Sequence, residues 1–370
     1  MTAVTYTANK GLNLLGSEVF VGFVNQTSGS ETSSITDYSG NSPVNDLTVT
    51  GTLTKTAVAT SAESMGFSGW SGSNYASSAY DADYDFGTDD FFIQCWVKET
   101  ANTDIEYIMM RSYYSGSYSG SGIYLRISAD GTLSGKITNN GFVGADTING
   151  TTTIDDGAWR LVTFVRRSTK LELWVNNAKD ASDVTISTAT GSLSNGSATL
   201  RVGYSQGSTN PLTHGTIALM KIGAFAPTAA QIKSTYDAEK ILFKANEIYT
   251  QVGTSYSTNI TATQLTKSNT SIRNQARSIS GVTETIHERY DERWSVTTGN
   301  VATASLSTYR RFLDSALAGN SFTLDPYGSV SPQDDPVTCI MDADSYTESR
   351  IDGLSLSNAQ YRMSFDAIVL

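Results

Sequence analysis

Cysteine is almost missing from this chain. Two thiols, Cys95 and Cys339, serve 370 residues, and both lie in apolar, strand-like runs, which predicts two buried thiols rather than a bridge. Proline is scarce at 6 and charge is thin, with 16% of residues Asp, Glu, Lys or Arg. No apolar run approaches the roughly 20 residues a membrane helix needs. The opening MTAVTYTANKGLN has neither a charged n-region nor an apolar h-region, so it does not read as a signal peptide. That predicts synthesis in a cytoplasm and release by another route, such as lysis. Positive charge is the smaller share, leaving a formal net charge of -11, which argues against nucleic-acid binding through a phosphate-matching basic surface. The 2 histidines, His214 and His287, have no nucleophile motif around them, and no E-x-D-x-x-E run supplies paired catalytic carboxylates.

What is abundant is Gly, Ser, Thr and Tyr, a composition that suits long strands joined by polar turns. In GTDDFFIQCWVKET (87–100), Phe91, Ile93, Cys95 and Val97 fall on one face and Phe92, Gln94, Trp96 and Lys98 on the other. This is the pattern of an inner sandwich strand with a mixed outer surface. Similar runs follow at short intervals over about 210 residues, separated by DG, NG, NN or GS pairs that tolerate positive φ, so this part reads as a β-sandwich or jelly roll. Trp96, Trp159, Trp174 and Trp294 lie in strand runs and read as core. Two helices stand out. PTAAQIKSTYDAEKILFKANE (227–247) has Pro227 near its start and a stripe through Ile232, Tyr236, Lys240 and Phe243. LSTYRRFLDSALAG (306–319) carries Leu306, Tyr309, Phe312, Leu313 and Leu317 on one side and ends on Gly319, a C-terminal cap.

Two resemblances emerge, one nested in the other. DYSGN (37–41), LTVTG (47–51), MGFSG (65–69), FGTDDFFIQCWVK (86–98), DGAWRLVTFVR (156–166), LELWVNN (171–177) and GTIALMKIGAFAPTAAQIKSTYDAEKILF (215–243) resemble, in order and spacing, a laminin-G-like (concanavalin A-like) jelly roll. The flanks are similar to distal-tail or minor-tail proteins at the tail tip of long-tailed phages. The segments that carry this likeness are HERYDERW (287–294), the helix with Arg310, Arg311, Phe312 and Leu313, FTLDPYG (322–328) and the closing YRMSFDAIVL. Members of that group run a TYTANKGL-like strand directly into a GTSYSTNI-like strand. Here MTAVTYTANKGL (1–12) and VGTSYSTNITATQ (252–264) are far apart. The resemblance therefore implies a mainly β chain in three stretches. Residues 1–15 give the first strand of a small tail-tube-like domain, 16–247 an inserted jelly roll ending in helix 227–247, and 248–370 the rest of the tail domain with its one helix.

The function implied is a structural virion protein in the phage tail, with no enzyme activity. It would form a three- or six-fold ring with copies of itself, meet tail tube and hub proteins, and display the jelly roll, with a host-surface glycan or protein as its ligand. A carbohydrate-binding adhesin is the alternative, and a glycan-degrading enzyme is disfavoured by the lack of a carboxylate pair. The resemblance puts the charges of HERYDERW and the helix, Arg289, Arg293, Arg310 and Arg311, at subunit contacts. Two further groups are candidates. Asp81, Asp83 and Asp85 alternate in YDADYDFGTDD and, on an extended strand, share a face; such oxygens suit Ca²⁺, with Asp37, Asp155 and Asp156 as contributors if the fold brings them near. A solvated acidic loop is the alternative reading. No other cofactor is expected. SYYSGSYSGSG (112–122) offers Tyr113, Tyr114 and Tyr118 in a setting of Ser and Gly, the composition of a paratope-like contact loop.

Overall fold

Alternation of apolar and polar residues decides the architecture. The structure, a computed structural model, describes the chain except residues 1, 8–12, 25–27, 101–102, 115–116, 141–142, 206–209, 246, 248, 250–254, 278–282, 328–335 and 352–358, and except the side chains of 118, 119, 140, 143, 270–290 and 304. It divides into two units, Leu12–Tyr249 and a second built from Met1–Gly11 with Thr250–Leu370.

The Leu12–Tyr249 unit is two antiparallel sheets face to face. One runs, edge to edge, through Val143–Thr153, Thr132–Asn140, Tyr118–Ile127, Glu106–Tyr114, Thr199–Val202, Tyr75–Ser78, Leu47–Thr50 and Ser34–Ile35. The other runs through Ala178–Lys179, Lys170–Val175, Trp159–Arg167, Phe91–Glu99, Gly215–Gly223, Met65–Ser68, Leu53–Ala57 and Gly29–Glu31, with Glu18–Gly22 also paired to Gly215–Gly223. Their inner faces share one core, in which Phe91, Ile93, Cys95 and Val97 meet Ile123, Leu125, Ile127 and Val202. The apolar face read from the sequence is this inner face.

The outer face of the second sheet differs from the mixed, solvated surface expected. Helix α1, Ala229–Glu239, and the 3-10 turn Lys240–Phe243 cover it. Trp96 is 2% exposed and stacks on Tyr236 and Phe243, with ring centroids 5.8 and 4.2 Å away, while Phe92 packs with Val165, Trp174 and Ile232. Gln94 is buried and donates to Thr163 Oγ1 at 2.8 Å. A buried ion pair, Lys221 with Glu239, crosses between sheet and helix. Its reach extends to the segment that precedes Glu18–Gly22. Asn13 donates its backbone N–H to Glu239 Oε1 at 3.3 Å and accepts from Lys221 Nζ at 2.9 Å through its carbonyl. Trp96 Nε1 donates to Glu239 Oε2 at 2.9 Å.

In the other unit the sheet order is Ser255–Ile260, Thr2–Thr7, Phe322–Asp325, Val337–Arg350, Gln360–Val369, Thr283–Thr298 and Ala262–Arg277. Thr2–Thr7 thus pairs on one side with a strand that follows it only after the whole first unit. Helix α2, Thr303–Leu317, lays Phe312, fully buried, against Tyr6, Phe322 and Phe365 at centroid distances of 5.5, 5.0 and 5.6 Å. It stops at Gly319, whose φ of 87° is a left-handed conformation that only glycine adopts without steric cost. Thr283–Thr298 meets Gln360–Val369 only from Arg293 to Thr297. Among the described residues, its earlier part pairs with Ala262–Arg277 alone, as a two-stranded ribbon. Cys95 and Cys339 are buried free thiols, one in each unit.

Candidate functional site

Within its unit α1 lies on one sheet, so the outer face of the other sheet carries the remaining broad surface. Residues directly opposite in an antiparallel pair share a face. Register therefore places Thr147, Lys136, Tyr124, Met110, Arg201, Ser77 and Thr48 in one row across six strand pairings. The neighbouring row on the same face holds Tyr107, Arg126 and Ser134. Tyr107, Met110 and Tyr124 form a buried apolar floor. Lys136 Nζ lies 5.9 Å from the Tyr124 ring centre, and the Arg201 guanidinium 5.4 Å from that of Tyr75. Tyr75 in turn packs on Tyr204 at 5.2 Å. The three cations, with Tyr75 and Tyr204, are half-exposed.

Electrostatically this face stands apart from a chain of net charge -11. Burial, with the Arg126 charge added to it, pushes the Lys136 ammonium below its usual range. The Arg126 Nε is buried without an acceptor among the described residues. A face that crowds like charges over aromatic rings favours an anionic, flat-faced occupant, because an incoming negative charge relieves the repulsion.

The residues singled out from sequence are placed as follows. Asp81, Asp83 and Asp85 do not share a strand face: Ala82–Tyr84 is a 3-10 turn, and each carboxylate has its own partner. Asp81 caps the turn, accepting from the Asp83 N–H at 2.8 Å; Asp83 accepts from Asn45 Nδ2 at 2.9 Å; Asp85 pairs with the buried Arg111 at 2.9 Å. Asp37 is likewise engaged, by the N–H groups of Val21, Ser39 and Asn45, and Asp156 by Arg160. The acidic residues of this segment hold a loop in shape. Tyr113, Tyr114 and Tyr118 belong to paired strands rather than to a loop, with Tyr113 opposite Ser119 and Tyr114 opposite Tyr118. Tyr113 is exposed and Tyr114 half-buried; the Tyr118 side chain lies outside the described residues. Arg293 pairs with Asp342 at 2.9 Å, Arg310 with Glu348 at 2.9 Å, and Arg311 lies over the Tyr256 ring at 5.1 Å, all within one unit. The Arg289 side chain lies outside the described residues.

Arg126, Lys136 and Arg201 escaped the sequence reading. The signal is present in GIYLRIS, where Tyr124 and Arg126 alternate with Ile123, Leu125 and Ile127, giving one apolar face and one of ring and cation. That the cations of three different strands line up is a matter of register, which one strand does not reveal.

A family described as the concanavalin A-like lectin/glucanases superfamily matches residues 71–233, inside the Leu12–Tyr249 unit. No curated protein matches the chain. Among solved structures, the chain is similar to the binding domain of Paraclostridial Mosquitocidal Protein 1, at 12% identity over 92% of this chain and 72% of that one, with a TM-score of 0.47. It is also similar to the botulinum neurotoxin serotype D ligand-binding domain in complex with N-acetylneuraminic acid, at 9% identity over 96% and 92%, with a TM-score of 0.47. A third is the Ruminococcus gnavus IT-sialidase CBM40 bound to α2,3-sialyllactose, at 13% identity over 43% and 92%, with a TM-score of 0.35. The protein is mainly β and contains a concanavalin A-like domain.

Proposed function

We propose that this is a glycan-binding display protein, in which the concanavalin A-like domain offers the outer face of its eight-stranded sheet to a carboxylate-bearing sugar. The observation that carries this is the alignment of Arg126, Lys136 and Arg201 over the buried Tyr107 and Tyr124 and beside the half-exposed Tyr75 and Tyr204, in a chain otherwise rich in negative charge. The two half-exposed rings give a sugar face a platform and the cations fix a carboxylate. A binding role agrees better than hydrolysis with the carboxylates at hand. Glu99 and Glu106, which do approach each other, are 0% and 1% exposed and offer a glycosidic bond no surface.

The test is a glycan array followed by titration calorimetry on the whole chain. Neutral and carboxylated glycans are compared, with Arg126→Ala/Lys136→Ala beside the parent. Carboxylated sugars are expected to bind, weakening as salt rises, and the double variant to lose at least about tenfold with an unchanged melting temperature. Binding of neutral glycans alone, or equal binding by the variant, overturns the assignment.

The second unit serves, in this reading, as the assembly platform of a phage tail, made in the host cytoplasm and carried in the virion. Two features support it. The strand Thr2–Thr7 is completed by strands that return after the domain, as an insertion into a host fold requires. The ribbon of Ala262–Arg277 with Thr283–Thr298 extends beyond the sheet, and an isolated two-stranded ribbon is marginal in water until something pairs with or covers it. Rings of three or six copies in negative-stain images are expected. Monomers at every concentration would remove the platform role and leave the sugar-binding role standing.

A further inference from the structure

At one end of the sandwich three ligand-type side chains converge. Glu99 closes the strand Phe91–Glu99 of one sheet, and Glu106 opens the strand Glu106–Tyr114 of the other. His214 stands just before Gly215–Gly223. Their ligand atoms lie within 4.8 Å of one another. Glu106 Oε1 is 2.6 Å from His214 Nδ1, Thr213 Oγ1 donates to the same oxygen at 2.6 Å, and the His214 N–H donates to Glu106 Oε2 at 3.2 Å. Glu99 faces Gly215 in the ladder, and a Cβ on that glycine would lie 2.5 Å from Glu99 Oε2; the carboxylate occupies the space a side chain would need. A cavity of about 170 Å³ adjoins the cluster, lined by Asp104, Ile105, Glu106, Asn210, Pro211 and Thr213.

We propose that Glu99, Glu106 and His214 form a Zn²⁺ site tying the two sheets and the segment before Gly215 together. Two carboxylates this close and this buried repel each other when both are ionised, and a divalent cation between them removes that cost. The donor set selects the metal. One imidazole nitrogen and two carboxylate oxygens suit zinc, which takes four ligands at about 2.0–2.2 Å, with water from the cavity as the fourth. Ca²⁺ calls for six to eight oxygens, more than three side chains supply here. Thr213 Oγ1 and the His214 N–H already orient the Glu106 carboxylate, as partners around a metal ligand do. Ligand atoms at about 2.0–2.2 Å from a tetrahedral zinc lie roughly 3.3 Å apart, so the 2.6 Å Glu106–His214 contact must open to admit the ion, a movement available at His214, whose side chain is 47% exposed. This site is independent of the sugar-binding face and goes beyond it.

The experiment uses the full chain stripped with a chelator and passed through gel filtration after incubation with Zn²⁺, Ca²⁺ or Mn²⁺, with metal counted by elemental analysis and melting followed in parallel. One Zn²⁺ per chain is expected to remain bound and to raise the melting temperature, with a tenfold excess of Ca²⁺ failing to displace it. Co²⁺ in its place should show the intense visible bands of a low-coordinate site. His214→Ala should weaken Zn²⁺ binding by about 100-fold, while His287→Ala, at the other histidine of the chain, should leave it unchanged. Glu106→Gln should match His214→Ala; if that variant fails to fold, His214→Ala decides alone. Retention of less than a tenth of a Zn²⁺ per chain, equal binding by His214→Ala, or displacement by Ca²⁺ overturns the proposal.

Discussion

At the scale of single residues, two carboxylates in the jelly-roll unit are held by opposite means. Glu239 is fully buried and is neutralised by Lys221, itself fully buried. Removing one partner leaves a bare charge inside, so Lys221→Ala should cost about 3–5 kcal/mol, whereas Lys221→Met combined with Glu239→Gln should recover much of that loss. Urea unfolding of the three proteins checks this, and a double variant no better than the single one would contradict it. Asp146 is 6% exposed and pairs with no cation among the described residues; it accepts instead from the N–H groups of Ser187, Thr188 and Ala189 at 3.1, 2.9 and 2.6 Å and from the Ser187 hydroxyl at 3.1 Å. Burial works against its ionisation, but these donors outweigh burial and hold the carboxyl below its usual range. Its contribution is therefore complete above the unfolded value near about pH 4 and is lost as pH falls through the lower folded value. Asp146→Asn should cost about 1–3 kcal/mol at pH 7 and progressively less below about pH 4, read from urea midpoints across pH. Neither role was legible beforehand. Lys221 and Asp146 sit in strands as ordinary charged residues, and their partners lie 18 and more than 40 positions away in sequence.

Elements were easier to read than residues. The alternation in FFIQCWVK gave the inner face because inner residues of a two-sheet core must all be apolar. Its outer face misled, since Phe92, Gln94, Trp96 and Lys98 mix ring, amide and cation whether water or a helix lies above them. α1 itself was legible from its stripe, though α-helix ends at Glu239 and tightens into the Lys240–Phe243 turn. Its start is fixed by a capping box in which Thr228 Oγ1 accepts from the Gln231 N–H at 3.2 Å and Gln231 Oε1 accepts from the Thr228 N–H at 2.8 Å. Thr228→Ala should cost about 1 kcal/mol, seen as a lower melting temperature of the jelly-roll transition with the other transition unmoved. The 16-residue strands Ala262–Arg277 and Thr283–Thr298 were the hardest to bound. Polar residues stand on both sides of much of their length, so no apolar alternation marks where they begin and end.

For the whole molecule, two separate cores predict two separable melting events. Trp96→Ala removes a ring stacked between sheet and α1, and Phe312→Ala one that joins α2 to its sheet; each should cost about 3–5 kcal/mol in its own unit. Calorimetry should show one transition move with each variant. Both transitions shifting together in either protein would mean that the units fold as one. The nested reading of the chain came from two ends of one strand pattern standing far apart in sequence, while the grouping of cations on the eight-stranded sheet was not legible, because it exists only once four strands are in register.

The clamp around Glu239 has a mechanical consequence. Tension on the chain enters the jelly-roll unit at Leu12 and leaves at Tyr249. Asn13, one residue from the entry, is bonded to Lys221 and Glu239, and the exit passes through Tyr249, buried in the cluster that holds Trp96 and Leu242. A pull on the two ends is thus borne across one short stretch of helix and strand instead of peeling the sheets from their edges. The domain should behave under load as a stiff ring hung from a closed clasp. In a single-molecule pulling trace it should open in one high-force event, and Glu239→Gln should lower that force before it alters anything else in the trace.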